Sequence, residues 1–292
     1  MTAGSLLAAA ALTRTVALPL FVLALLVLLL RRVPWRRLAV LAPAGTLPLV
    51  GYAAWYGERY GEFAFSGADG VALWARTMTF ADCAVIRPSP ELAPLCPNGT
   101  ALDAASEYIW SPDSSLNRLP GDQFAYNDRA RAFALRAIAA QPLDYLHDVV
   151  RDTVIAFAWT PIAHPARTTP AFGFARGTWP LARQPLVDKV QRVYDPGITG
   201  MRSVEPYASL LIAYQYPAYL RGPLLAVILL LGAVGAVRRP GAAALPWVMA
   251  VGLLAAPSAV LEFDHRYVLS VVPVACLAAA LAFTSPSLAS RR

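Results

Sequence analysis

Cysteine and histidine are scarce in this 292-residue chain, three of each. There is no Cys-x-x-Cys pair, so no metal site is expected. A phosphate-binding glycine loop, a Gly-x-Ser-x-Gly elbow and a His-Glu-x-x-His helix are also absent, which removes the signatures of the common soluble nucleotide-binding and hydrolytic enzymes. No internal repeat is found. Charge is sparse at 15% of residues and is missing altogether from the long runs 242–261 and 268–283.

What is present instead is apolar surface, concentrated in blocks. Hydrophobic residues make up 57% of the chain, against ~45–50% in ordinary soluble domains, and mean hydropathy is +0.49. The blocks are 6–30, 38–56, 220–237, 242–261 and 268–283. Most are about long enough to cross a bilayer core of roughly 30 Å. The expectation is a mainly α, polytopic membrane protein with about five full spans plus a partial N-terminal one. Three regions follow from it: N-terminal membrane helices over 1–56 with a basic loop at 31–37, an extracytoplasmic domain over 57–206, and C-terminal membrane helices over 207–292.

The net charge of +7 does not point to nucleic acid, because the basic residues sit in short loops beside apolar blocks. Arg31, Arg32, Arg36, Arg37, Arg238, Arg239, Arg291 and Arg292 account for it with no acid among them, whereas 57–206 carries fourteen Lys or Arg against sixteen Asp or Glu. Short basic loops are retained in the cytoplasm. Alternating the blocks puts every basic cluster inside and 57–206 outside, so the protein is expected in the plasma membrane, multi-pass, in contact with lipid and not with nucleic acid.

At the N-terminus, Thr2 to Leu12 reads as helix but spans only about 17 Å. An uncleaved signal anchor, one long helix burying Arg14, and the tail of a helix whose beginning is missing all compete. The third is favoured, with Thr13, Arg14 and Thr15 turning at the outer surface on the same side as Arg266.

In the external segment Cys83 and Cys96 fall in a Pro-rich stretch, and an outward-facing compartment permits their disulfide. Asn127 or Asp128 is placed to cap a helix through Ala140, with Ala130, Phe133, Ala134 and Ile138 on one face. Gln141-Pro142 breaks it and starts a second helix reaching Trp159. There Asp144, Asp148 and Asp152 recur at i, i+4, i+8. Metal or acid chemistry is one reading of that stripe; a solvated face paired with Arg151 is the favoured one. From 160 to 206 no sustained period is seen, which suits a lid or a surface loop packed on the membrane. Tyr207, Tyr214, Tyr216 and Tyr219 before Arg221 read as an interfacial belt.

The most informative feature is a polar patch between the two uncharged runs: Glu262, Phe263, Asp264, His265, Arg266 and Tyr267. It reads either as a lining for an anionic ligand or as a solvated hairpin with an interfacial tyrosine.

Three places bear a resemblance when taken together. Ala10-Ala-Leu-Thr-Arg14 precedes an apolar run and Arg31, Arg32. Phe80-Ala-Asp-Cys83, Leu95-Cys96-Pro97 and Gln141-Pro142-Leu-Asp-Tyr145 follow in the external segment. Arg266-Tyr267 is then followed by Pro273. The set resembles the C-terminal half of bacterial GT-C class glycosyltransferases, the superfamily of protein O-mannosyltransferases and aminoarabinose transferases, in its actinobacterial form. The last element is similar to an Arg-Tyr-x-x-Pro-x-x-Pro motif, with Ser270 standing where its first proline is usual.

The resemblance implies a polyprenyl-phosphate sugar as donor and a glycan, lipid or protein as acceptor. It also implies a donor-phosphate site built from Arg14, His265, Arg266 and Tyr267. Cations placed where the leaving phosphate gains charge stabilise the transition state. The catalytic acid of such enzymes belongs to a first external loop that matches nothing in this chain, so the catalytic residue is unknown and a partial enzyme is expected. No cofactor is implied, and a divalent cation is left open. The alternative is a non-catalytic membrane scaffold with an external interaction domain.

Overall fold

The computed structural model describes residues 2–13, 17–164, 174–180 and 184–284. They are mainly helical, and the chain forms two compact units, Met1–Thr168 with Gly222–Arg292, and Thr169–Arg221.

The larger unit begins with α1 (Thr2–Thr13), α2 (Leu18–Leu30) and α3 (Trp35–Tyr60), mutually packed. Helix α2 is apolar on every side, Leu-rich with Pro19 in its first turn, as expected of a helix that does not face water. Contact between α1 and α3 is close because Gly4 lies on the Leu41 carbonyl, where any Cβ would collide. Ala8, Ala11, Phe21 and Leu49 fill the junction. Helix α3 stops at Gly61, whose φ of 83° is the left-handed cap that glycine adopts without penalty. Arg14 lies outside the described residues, as does Thr15.

Helices α4 (Asp69–Thr77), α5 (Cys83–Ile86), α6 (Ala105–Trp110), α7 (Asn127–Ala140) and α8 (Pro142–Val154) follow. The first four enclose a core of large side chains, Trp74, Leu95, Leu116 and Phe133 among them. A disulfide joins Cys83 and Cys96, with Cα atoms 6.1 Å apart. Helix α7 buries Ala130, Phe133, Ala134 and Ala137, leaving Ile138 at the edge. Its capping differs from the sequence expectation. Asn127 is its first residue, and the Asn127 side chain instead accepts hydrogen bonds from the Gly70 and Val71 amides at the start of α4, at 2.8 and 3.1 Å. Gly70 permits this, since a Cβ there would strike the Asn127 carbonyl.

The aspartate stripe of α8 is a second correction. Asp144 is exposed, but Asp148 and Asp152 are 3 and 2% exposed and face inward. Asp152 pairs with the fully buried Arg76 of α4, and Asp148 accepts from Thr79 and pairs with Arg151 at 3.0 Å. The buried Arg76 holds Asp152, and Thr79 with Arg151 holds Asp148; these two members of the stripe are not on a solvated face.

The smaller unit holds β1 (Thr178–Pro180), α9 (Gln184–Val193), β2 (Gly200–Arg202) and α10 (Tyr207–Ala218). The two strands pair antiparallel with Trp179 opposite Met201. Arg176 bonds Glu205 at 2.8 Å and Ser209 at 2.7 Å, and the Ser209 and Arg176 hydrogen bonds hold the Glu205 carboxyl below its usual range. Arg221 stands over the rings of Tyr216 and Tyr219 at 5.6 and 5.2 Å. A helix and a strand pair thus occupy a stretch where no period was read.

The larger unit resumes with α11 (Gly222–Arg238), α12 (Ala244–Val260) and α13 (His265–Phe283), a three-helix bundle. Small residues set its spacing: a Cβ on Gly232 would come within 2.9 Å of Trp247, and one on Gly235 within 2.8 Å of Ala282. Among the described residues, three helical stretches are long and apolar enough to cross a membrane: Trp35–Tyr60, Tyr207–Arg238 and His265–Phe283. Helices α2 and α12 are apolar but shorter, 13 and 17 residues, or about 20 and 26 Å.

Candidate functional site

The polar patch sits where α12 ends and α13 begins. Pro257 lies in the last turn of α12, and its carbonyl accepts from the Leu261 amide to close the helix. The chain then makes a tight passage whose side chains divide into two groups.

Glu262 and Phe263 point into the protein. Glu262 Oε2 accepts from the Ser106 amide at 2.8 Å, in the first turn of α6. Phe263 is buried, its ring nearly perpendicular to that of His265 with centroids 5.0 Å apart. Just before them, Leu261 packs on the Trp74–Phe133 core, and Tyr145 donates its hydroxyl to the Ala259 carbonyl at 2.9 Å. Burial raises the Tyr145 phenol pKa above its ordinary value, outweighing the nearby Arg76 charge. This part of the patch docks the bundle onto the small helical core.

Asp264, His265, Arg266 and Tyr267 form the second group. Asp264 caps α13 in the ordinary way, its Oδ1 accepting from the Arg266 amide at 3.0 Å. Its Oδ2 lies 2.7 Å from Arg266 Nε. The Arg266 guanidinium also stands 5.4 Å from the centre of the Tyr267 ring, and its side chain is 60% exposed. His265 Nε2 accepts from the Ile162 amide at 3.2 Å, which puts the proton of the neutral ring on Nδ1. Two residues beyond Ile162, His164 carries a buried Nε2 with no hydrogen-bond partner.

Of the residues singled out for a donor phosphate, the structure therefore brings His265, Arg266 and Tyr267 into one turn at the N-terminus of an apolar helix. Arg14 lies outside the described residues. Sequence spacing could not anticipate the approach of 162–164, which arrives from about a hundred residues away; two histidines in a histidine-poor chain were the only signal. Among the described residues no group of three or more His, Cys, Asp or Glu side chains is disposed to hold a metal ion. Comparisons with protein-family models, curated proteins and solved structures return no match.

The arrangement has clear chemical capacity. An exposed guanidinium fork, a tyrosine hydroxyl and a helix N-terminus offer donors and positive potential to an anion. The opposing fact is Asp264, which already partners both the guanidinium and the first-turn amide. An incoming anion must share Arg266 with it.

Proposed function

We propose that this chain is the donor-binding part of a plasma-membrane glycosyltransferase. It would take a polyprenyl-phosphate sugar at the extracytoplasmic face and pass it to a glycan, lipid or protein acceptor. The observation that carries this reading is the exposed Arg266 beside Tyr267 and His265 at the N-terminus of α13. An apolar helix whose end bears an arginine fork meets both halves of the ligand: the prenyl chain lies along apolar surface and the phosphate meets the fork. A planar fork engages two phosphate oxygens where lysine presents a point charge. Arg14 belongs to the same proposed site on the topological argument. The catalytic base is not assigned, and no cofactor enters the proposal.

The proposed topology has 57–206 outside and the clusters at 31–37 and 238–239 inside, following the charge bias of the short loops. Cysteine labelling from outside at position 120, and only from inside at position 35, is the expected pattern; the reverse overturns it.

Transfer is tested with Arg266→Lys in membranes carrying the active enzyme and a polyprenyl-phosphate sugar. Loss of most transfer and weaker donor binding, with insertion unchanged, is expected. Transfer at the parent rate overturns the phosphate role. A second reading, a non-catalytic membrane scaffold, is favoured by one observation: Asp264 pairs with Arg266 and Glu262 bonds α6, so much of the patch serves docking. Under that reading Arg266→Ala harms assembly or insertion alone, and no lipid-linked sugar binds.

A further inference from the structure

Helix α8 has its polarity inverted. Its buried side carries Asp148 and Asp152, held by Arg76, Thr79 and Arg151. Its open side carries Leu143, Leu146, Val150 and Val154, which are 78, 54, 51 and 54% exposed. At 3.6 residues per turn these four fall within about 80° of arc, opposite the two aspartates. Exposed His147 and Arg151, with exposed Asp144 beyond them, flank the apolar arc on one side. Trp159 and Ile162, just beyond the helix, are exposed as well. Scattered surface leucines need no explanation, but a continuous apolar stripe on a helix that buries Asp148 and Asp152 does.

The position of α8 says what covers that stripe. Three hydrogen bonds tie the segment to three helix ends. The Tyr145 hydroxyl meets the Ala259 carbonyl near the close of α12 at 2.9 Å. The Gly222 amide, first residue of α11, meets the Ala158 carbonyl at 3.1 Å. The Ile162 amide meets His265 Nε2, at the first residue of α13, at 3.2 Å. Gly222 has no alternative, since a Cβ there would overlap the Phe157 backbone. Short connections make α12 antiparallel to both neighbours, so the three attachment points lie at the same end of the bundle. The segment 142–162 is thereby held across the ends of apolar helices.

We propose that α8 is an interfacial helix whose Leu143, Leu146, Val150 and Val154 stripe lies in the acyl boundary of the outer leaflet. Its occupant is lipid. His147 and Arg151 sit at headgroup height beside it, as basic residues flanking the apolar face of surface-lying helices do. The inverted polarity is then ordinary amphipathicity with protein, not water, on the polar side. The helix is a fixed float for the small helical core: Asp152 anchors it to α4 through Arg76, and its apolar arc sets the depth at which the His265–Tyr267 turn rides. This inference rests on the membrane placement of the bundle and not on sugar transfer.

The test uses the full chain in vesicles of phosphatidylcholine and phosphatidylglycerol. Cys276, the one free cysteine, is replaced by Ser, and the Cys83–Cys96 disulfide is left intact. Spin labels are attached singly at Leu146→Cys, Val150→Cys and Val154→Cys, and at Leu135→Cys on the exposed side of α7. Collision with oxygen, which concentrates in lipid, is compared with collision with a water-soluble nickel chelate. Oxygen is expected to exceed nickel several-fold at 146 and 150, with the order reversed at 135. Nickel dominance at 146 and 150 would place the stripe in water and overturn the proposal. Exclusion of both reagents would mean that protein, a second copy or another chain, covers it, and would overturn it equally. All the labelled sites are exposed, so the label itself does not disturb a packed core; the label at 154 provides an independent reading.

Discussion

The core under α4–α7 and the bundle α11–α13 belong to one compact unit, yet they differ in how their helices meet. Around α4 and α7 the interior is filled by large groups, Trp74, Leu116 and Phe133, and it admits a buried arginine with two carboxylates. The bundle buries Leu225, Leu254 and Val271 too, but its closest approaches run through Gly232, Gly235 and Ala278, while other large residues such as Leu224, Leu230 and Leu269 point outward. The first pattern is what water imposes, since large apolar groups leave solvent by meeting one another. The second suits lipid, where a leucine gains nothing by turning inward and helices are held by close approach. The chain changes rules at Leu261–Phe263, where the bundle docks on the core.

That contrast can be broken first at the buried ions. Asp152→Ala leaves Arg76 charged and unpaired in the interior, where two of its nitrogens already lack partners. Losing one member of a buried pair costs about 3–5 kcal/mol. A large fall in the thermal midpoint in detergent is expected, and the pair Arg76→Met with Asp152→Leu should recover much of it. A single variant that melts with the parent would show that the pair is solvated. Next comes the disulfide. Cys83→Ser with Cys96→Ser opens a loop of 13 residues in separation and should cost about 3 kcal/mol. Proteolysis is expected to begin in 83–96 with the bundle helices still protected; simultaneous cleavage of both regions would mean that core and bundle melt as one.

The bundle is tested in the opposite direction, by adding volume. Gly235→Val drives methyl groups into Ala282, and overpacking of this kind costs about 1–3 kcal/mol. The expected result is a lower thermal midpoint in detergent with proteolysis at the disulfide loop unchanged. An unchanged midpoint would show that the helices part easily there. The smallest effect is electrostatic. Burial raises the Asp69 pKa, but hydrogen bonds from Arg131 and Asn127 outweigh it and leave the carboxyl below its ordinary value of 3.8. A lowered folded-state pKa contributes stability above the unfolded value, and that stability is lost as pH falls through and below it. Since both side chains are partly exposed, the contribution stays under about 1 kcal/mol. Asp69→Asn should flatten the acid side of the midpoint–pH curve slightly; an unaltered curve would remove Asp69 from the account.

Much of this architecture was legible beforehand. The runs 38–56, 220–237 and 268–283 lie within long helices or coincide with most of them, because an apolar stretch surrounded by lipid can satisfy its backbone only internally. Gln141-Pro142 separates α7 from α8 as proline at a first turn should, with the Gln141 carboxamide accepting from the Asp82 amide at 2.8 Å. The candidate site was legible only as a cluster in one turn, Asp264 through Tyr267. That Asp264 pairs with Arg266 was foreseeable from two residues' separation; that Ile162 reaches His265 was not.

By itself, then, the sequence determined the long apolar helices, the helix pair around Gln141-Pro142, and where polar chemistry gathers, because those properties follow from residues within a turn or two of one another. Only the tertiary structure decided which way α8 turns. Period alone cannot say whether Asp148 and Asp152 or Leu146 and Val150 face inward, since both stripes are equally regular. The answer came from Arg76, seventy-six residues before Asp152, whose buried charge requires a carboxylate. The same holds for Asn127, which caps α4 and not its own helix, and for Glu262, which reaches Ser106. Each is a polar group satisfied by a partner distant in the chain, and no local pattern encodes that distance.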